Sequence, residues 1–355
     1  MRCVRLSVCR RLGGASKETR ASRTQCWGGR FTMTVEGFKI SKERLPFDSY
    51  NISYGNVICS FAVQGATLVD WKFDECAYVD GYKDKPELAE EDGVRGAILS
   101  PFAGRVRDAR YIFDGIKYDL LPNQADRSIF HGFARSAIFE LSKIDFERDK
   151  VSVQFKSLQP LGLEGFPFPH DTLVTYCLKE TGLDLKIEIM NVGLADMPVS
   201  LGWHPYFCFP DLSDISEVEL HIPSTSTLCL DEMLLPVHDA LDRSVKGTSI
   251  DFSTSRLIAG NLLDTCYTAV RASDNGLVQS TLRSPTGRKI VFWQRGGAVY
   301  VYTGDRLKRN PRKSVAVEAL SHPPDAFNNP ALSDSISLSP GASRVFECGF
   351  NIFNS

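Results

Sequence analysis

Along most of the chain, apolar and polar residues alternate with a period of two. Leu183-Asp-Leu-Lys-Ile-Glu-Ile189 is the plainest case, and Val218-Glu-Leu-His-Ile222 repeats it. A strand turns successive side chains to opposite faces, so this pattern describes strands with one buried and one wet face. Runs rich in β-branched and aromatic residues at 151–155, 173–178, 289–293 and 299–303 predict further strands, and 344–353 reads as a closing one. Turn chemistry separates them, at Asp114-Gly115, Asp274-Asn-Gly276, Ser284-Pro-Thr-Gly287 and Ser339-Pro-Gly341. Convincing amphipathic helices are scarce. Many short strands without alternating helices predict an all-β, antiparallel sandwich and not a βαβ sheet. No internal repeat and no linker divides residues 34–355, which are expected to form a single domain.

Residues 1–33 differ in character. They hold seven arginines and Lys17 against one acid, Glu18, with serines and threonines interspersed. Such an Arg-rich, acid-poor start resembles an organelle transit peptide and lacks the apolar core of a secretory signal. The alternative is an extension ahead of a start at Met33. The expected location is cytoplasmic, or an organelle if the segment is a transit peptide.

Composition narrows the classes of partner. Of 355 residues, 43% are hydrophobic and 24% charged, enough for a large core without disulfide staples. A net charge of −2 gives no electrostatic footprint for nucleic acid or an anionic membrane. No run of about 18 apolar residues reads as a membrane helix. The ten cysteines form no C-x-x-C pair, which suggests reduced thiols used as small hydrophobes, and the six histidines lack metal-finger spacing. Glycine-rich dinucleotide and phosphate loops and a G-x-S-x-G elbow are missing as well.

Five ionisable residues stand in unusual settings: Arg105 in Ser100-Pro-Phe-Ala-Gly-Arg-Val106, His131 in Ser128-Ile-Phe-His-Gly132, His204 in Gly202-Trp-His-Pro-Tyr-Phe207, Asp264 in Leu262-Leu-Asp-Thr-Cys-Tyr267, and Glu318 ending Ser314-Val-Ala-Val-Glu318. Taken singly, each has a structural reading. A histidine on an apolar segment is usually a hydrogen-bonded core residue, Asp264 suits a turn cap, Glu318 an edge strand and Arg105 the surface. Only convergence in the fold would make them a site.

The ordered set of segments resembles the aldose 1-epimerase (galactose mutarotase) family over most of residues 55–355. The match runs through Gly65-Ala-Thr-Leu68, then Gly104-Arg-Val-Arg-Asp-Ala-Arg-Tyr111 with Phe113-Asp-Gly115, Tyr118 and Leu121-Pro-Asn123. It continues through Ile129-Phe-His-Gly132, Glu164-Gly-Phe-Pro167, Tyr176-Cys-Leu178, Trp203-His-Pro-Tyr-Phe207 and Leu263-Asp-Thr-Cys-Tyr267, and ends in Val317-Glu318 with Pro324-Asp-Ala-Phe-Asn328. The resemblance implies a large antiparallel β-sandwich of the galactose mutarotase-like (supersandwich) kind with a sugar-binding cleft. It implies Glu318 as catalytic base and His204 as catalytic acid, with Arg105, His131 and Asp264 holding sugar hydroxyls. An ordinary histidine pKa near neutrality would let His204 be protonated beside an ionised carboxylate. The expected activity is interconversion of the α and β anomers of a hexose. The chemistry needs no metal, nucleotide or redox cofactor, and the expected partner is a small-molecule sugar, with the chain a monomer or homodimer. Trp203 and Tyr206 are candidates for an aromatic wall.

Four positions depart from the family pattern: Gly104 and Cys208 stand where asparagine is usual, Thr265 where histidine is frequent, and Leu320 where glutamine is frequent. They bear on which sugar is preferred. Two alternatives follow. One is an epimerase of a phosphorylated hexose such as glucose 6-phosphate, with the cations of Asp305-Arg-Leu-Lys-Arg-Asn-Pro-Arg-Lys313, and Arg107 and Arg110, gripping the phosphate. The other is a non-catalytic carbohydrate-binding module.

Overall fold

The computed structural model describes residues 7–354 apart from 13–14, 19–23, 28–29, 36, 125–126, 148, 159–162 and 238–241, with side chains from residue 32 onward. Strands dominate it, as the alternation predicts. The largest sheet has a central run in the order Phe139–Phe146, Lys150–Ser157, His170–Lys179, Gly182–Asn191, Ser343–Phe353, Lys289–Gln294 and Val278–Arg283. These neighbours are antiparallel. At one edge the backbone of Ser7–Leu12 lies parallel to Phe139–Phe146. The Asp114-Gly115 turn closes the hairpin between Arg110–Phe113 and Ile116–Asp119, with both residues at positive φ (48° and 73°).

A second sheet contains Ser49–Tyr54, Val57–Ala62 and Leu68–Phe73. Its strand Arg30–Val35 crosses the boundary expected at residue 33, and Met33 is buried opposite Ile40. Aromatic contacts join the layers. Phe61 and Trp71 reach Tyr176 and Phe350 of the large sheet, and Trp203 of the third sheet stacks on Phe350. Tyr176, Trp71 and Trp203 are fully buried, so the centre of the sandwich is aromatic and dry.

The third sheet carries the site. Its order is Ala97–Leu99, Gly202–His204, Val315–Leu320, Ala298–Tyr302, Asp264–Thr268, Ser226–Thr227 and Arg243–Ser244. Strand Val315–Leu320 is buried at every position, because both of its faces are covered. Val315, Val317 and Ala319 enter the main core, while Leu320 joins Tyr300, Cys266 and Leu99 in a separate cluster on the opposite face. The period of two therefore turns Glu318 away from the main core. Trp203 enters the core on the same logic, and His204 beside it takes the other face.

Candidate active site

All five residues singled out in the sequence line one cavity of about 250 Å³ on that outer face. Glu318 lies directly opposite Tyr300 in the strand register, and His204 opposite Ala97. His204 Nε2 and Glu318 Oε1 are 3.1 Å apart, and their residues are 5% and 2% exposed. Asp264 accepts a hydrogen bond from the Tyr300 hydroxyl (2.8 Å). Arg105 donates to the Ser128 hydroxyl (3.2 Å) and lies over the Phe130 ring.

His131 sits in the left-handed region (φ 65°), which is uncommon for a residue with a side chain and marks a constrained turn. Its amide donates to the Gly104 carbonyl, and the Gly104 amide donates to His131 Nδ1 (3.3 Å). The neutral ring therefore carries its proton on Nε2. Gly104 has φ 75°, and a Cβ there would lie 2.9 Å from the Pro324 Cα, so the asparagine usual at this position would be strained here. Asp325 fastens the same segment: its amide donates to the Arg105 carbonyl, and its carboxylate accepts from the Arg107 amide.

Burial governs the electrostatics. It drives His204 down to about 3; the ring's own backbone carbonyl opposes the shift and the charge of Arg95 adds to it. Burial, helped by the nearby Asp264, pushes Glu318 well above the usual carboxylate range. His131 is lowered well below the histidine range by burial, then by His204 and Arg105. Asp264 is raised, because burial outweighs the Tyr300 hydrogen bond and the charges of Arg105 and Arg306. A low-dielectric pocket disfavours separated charge, so the pair rests in its neutral form, with its one proton on Glu318 facing His204 Nε2. The sequence-based expectation of a His204 titrating near neutrality is corrected by this burial.

His131, His204 and Glu318 bring potential ligand atoms within 4.8 Å of one another. With His131 Nδ1 engaged as an acceptor, its Nε2 offers an N–H and not a lone pair. That donor set suits hydroxyl oxygens better than a cation.

Some expectations need correction. Tyr206 lines the cavity, but Trp203 does not; it belongs to the main core, with its indole N–H bonded to the Gly96 carbonyl. Of the departures, Gly104 and Leu320 line the cavity, whereas Cys208 and Thr265 do not. Cys208 turns toward the Ala77 carbonyl. Most of the proposed phosphate cluster is already committed. Arg309 binds Asp80 and Glu87, Arg312 binds Asp305, and Lys308 binds Glu90. Arg107 pairs with Asp231 and Arg110 with Asp119. Of that cluster only Arg306 reaches the cavity wall. Tyr300, Phe130 and Glu91 line the site without having been singled out in the sequence.

The family model of aldose 1-epimerases matches residues 48–351. Among curated relatives, galactose mutarotase of Rattus norvegicus is 25% identical over 327 residues, covering 86% of this chain and 91% of that protein. The uncharacterized protein YihR of Escherichia coli is 26% identical over 292 residues, covering 79% and 85%. Among solved structures, a galactose mutarotase-like protein from Clostridium acetobutylicum superposes with a TM-score of 0.79 at 17% identity, covering 90% of this chain and all of that one. The family match over most of the chain, with its curated mutarotase relative, defines a sugar isomerase, and the solved structure shares its all-β fold. The chain belongs to the aldose 1-epimerase family.

Proposed function

We propose that this protein interconverts the α and β anomers of an uncharged hexose by acid–base ring opening and closure. The observation that carries the proposal is the buried 3.1 Å contact between His204 Nε2 and Glu318 Oε1 at a cavity also lined by Arg105, His131 and Asp264. Ring opening needs a base for the C1 hydroxyl and an acid for the ring oxygen. These two oxygens share one carbon, so two catalytic groups in direct contact suit them. Moving the pair's proton across the contact gives a carboxylate and an imidazolium. Glu318 then takes the O1 proton as His204 protonates the ring oxygen and the C1–O5 bond breaks. Rotation about C1–C2 presents the other face of the carbonyl, and the two groups exchange roles on closure. Each positioned group supplies on the order of 10²–10⁴-fold.

The remaining residues suit binding. His131 offers its Nε2 proton, Arg105 a planar fork of donors, and Asp264 an acceptor steadied by Tyr300. The commitment of Lys308, Arg309 and Arg312 to carboxylates favours a neutral sugar over a phosphorylated one. Polarimetry on freshly dissolved α-glucose, α-galactose and glucose 6-phosphate tests the proposal. Acceleration over buffer, greatest for a neutral hexose, is the expected result. Rates equal to buffer for every sugar would reject it, and preference for glucose 6-phosphate would favour the phosphorylated alternative.

A further inference from the structure

A histidine that handles protons is usually aligned by a hydrogen bond to its second ring nitrogen, which fixes both tautomer and orientation. At His204, no described residue other than His204 itself supplies that device. Among the described residues, no other side chain or backbone group hydrogen-bonds its Nδ1, although the atom is buried. Ring contacts surround it instead. The Tyr206 ring stacks on it (centroids 5.2 Å apart, planes 18° apart), and His131 meets it edge-on at 5.3 Å. The guanidinium of Arg95 lies 5.2 Å from the centre of the Tyr206 ring.

Arg95 is itself 0% exposed, an unusual place for a charge that is always present. It is locked there by Asp80 (2.6 Å) and donates to the Arg309 carbonyl (3.1 Å). Asp80 is held in turn by Arg309 and the Ser314 hydroxyl. The next residue, Gly96, donates its amide to the His204 carbonyl (2.8 Å). A fixed cation, an aromatic plate and the imidazole thus form one column, whose base is an ion-pair network and whose free end is the cavity. Among the described residues the buried Tyr206 hydroxyl has no hydrogen-bond partner, so the ring, not the hydroxyl, is what the column uses.

We propose that Tyr206, clamped by Arg95, is the positioning residue of the His204 general acid, aligning the imidazole by ring stacking where other sites use a hydrogen bond. The inference rests on the acid–base reading above. Four groups face His204: Glu318 across the hydrogen bond, His131 at its edge, Tyr206 on its face and Arg95 beyond.

The test compares wild type, Tyr206→Leu and Tyr206→Phe in the full chain, with two readouts. In polarimetry, Tyr206→Leu lowers kcat by about 10–100-fold with little change in KM, the size of effect a misplaced group gives, and Tyr206→Phe rescues most of the loss. In proton NMR, the His204 ring signal, assigned against His204→Asn, stays flat through neutrality in wild type and Tyr206→Phe. In Tyr206→Leu it titrates toward the ordinary value of about 6.5 as water reaches the ring. If Tyr206→Leu does not fold, Tyr206→Met, which fills the gap without a flat face, carries the same comparison. A folded leucine or methionine variant with wild-type kcat and a flat NMR titration overturns the proposal. So does a phenylalanine variant as impaired as the leucine one. Buffer-level rates for wild type would instead reject the epimerase reading, and the NMR titration would still decide the stack.

Discussion

Replacing Tyr300 by phenylalanine isolates one hydrogen bond in the site. The hydroxyl donates to Asp264 Oδ1 at 2.8 Å, and both residues line the cavity. The ring stays in place, so packing changes little; what is lost is a bond to a charged acceptor, on the order of 1.5–3 kcal/mol. That loss falls on the ionised form of Asp264 alone. The bond favours the ionised form, so its loss raises Asp264 further above the ordinary carboxylate range, from which burial has already lifted it. Asp264 is then protonated over a wider acid range and accepts sugar hydroxyls less well there. KM is expected to rise about tenfold at the acid end of the working range and converge on wild type as pH rises, while kcat changes less. Initial-rate polarimetry across pH measures both constants. A uniform fall in kcat with an unaltered KM profile would show that the hydroxyl does not act through Asp264.

Because Glu318 is raised and His204 lowered to about 3, their shared proton persists across neutrality, and kcat should form a broad plateau there; a bell centred on a histidine near about 6.5 would contradict the neutral resting pair. His322, lowered to about 4 by burial first and by Arg344 second, is neutral in the folded state where the unfolded chain binds a proton. The unfolded state therefore gains protons first as pH falls, so Tm should drop through the window from about 6.5 to about 4, and His322→Gln should shrink that drop. Gly104→Ala should destabilise the fold by about 1–3 kcal/mol, from the left-handed backbone and the approach to Pro324, and urea unfolding would detect it.

Much of the architecture was legible because exposed sheet faces leave a period of two. Residues 183–189, 289–293 and 344–353 all lie in strands of the large sheet. Strand Val315–Leu320 shows where that signal ends. With both faces covered, its sequence is almost continuously apolar, and nothing in it tells which face Glu318 takes. The five site residues could be named from the family resemblance, but their meeting depends on strand registers and on the constrained turn at His131. Tyr300 was hidden in Val299-Tyr-Val-Tyr302, where it reads as an ordinary core aromatic. Arg95 gave no signal, since its partners are distant in sequence: Asp80 is 15 residues away and the Arg309 carbonyl 214. The cation run before Glu318 suggested a phosphate grip, and its carboxylate partners lie mostly in residues 80–92, which sequence spacing does not pair with it.

The central claim is that Glu318 and His204 exchange protons with a sugar at its anomeric carbon. Glu318→Gln keeps the size of the side chain and removes the base. Polarimetry of fresh α-glucose and α-galactose, with sugar affinity measured in parallel by calorimetry, tests the claim most directly. The account predicts that acceleration falls by at least about 10²-fold while binding persists. A folded Glu318→Gln protein that speeds mutarotation as well as wild type would contradict it.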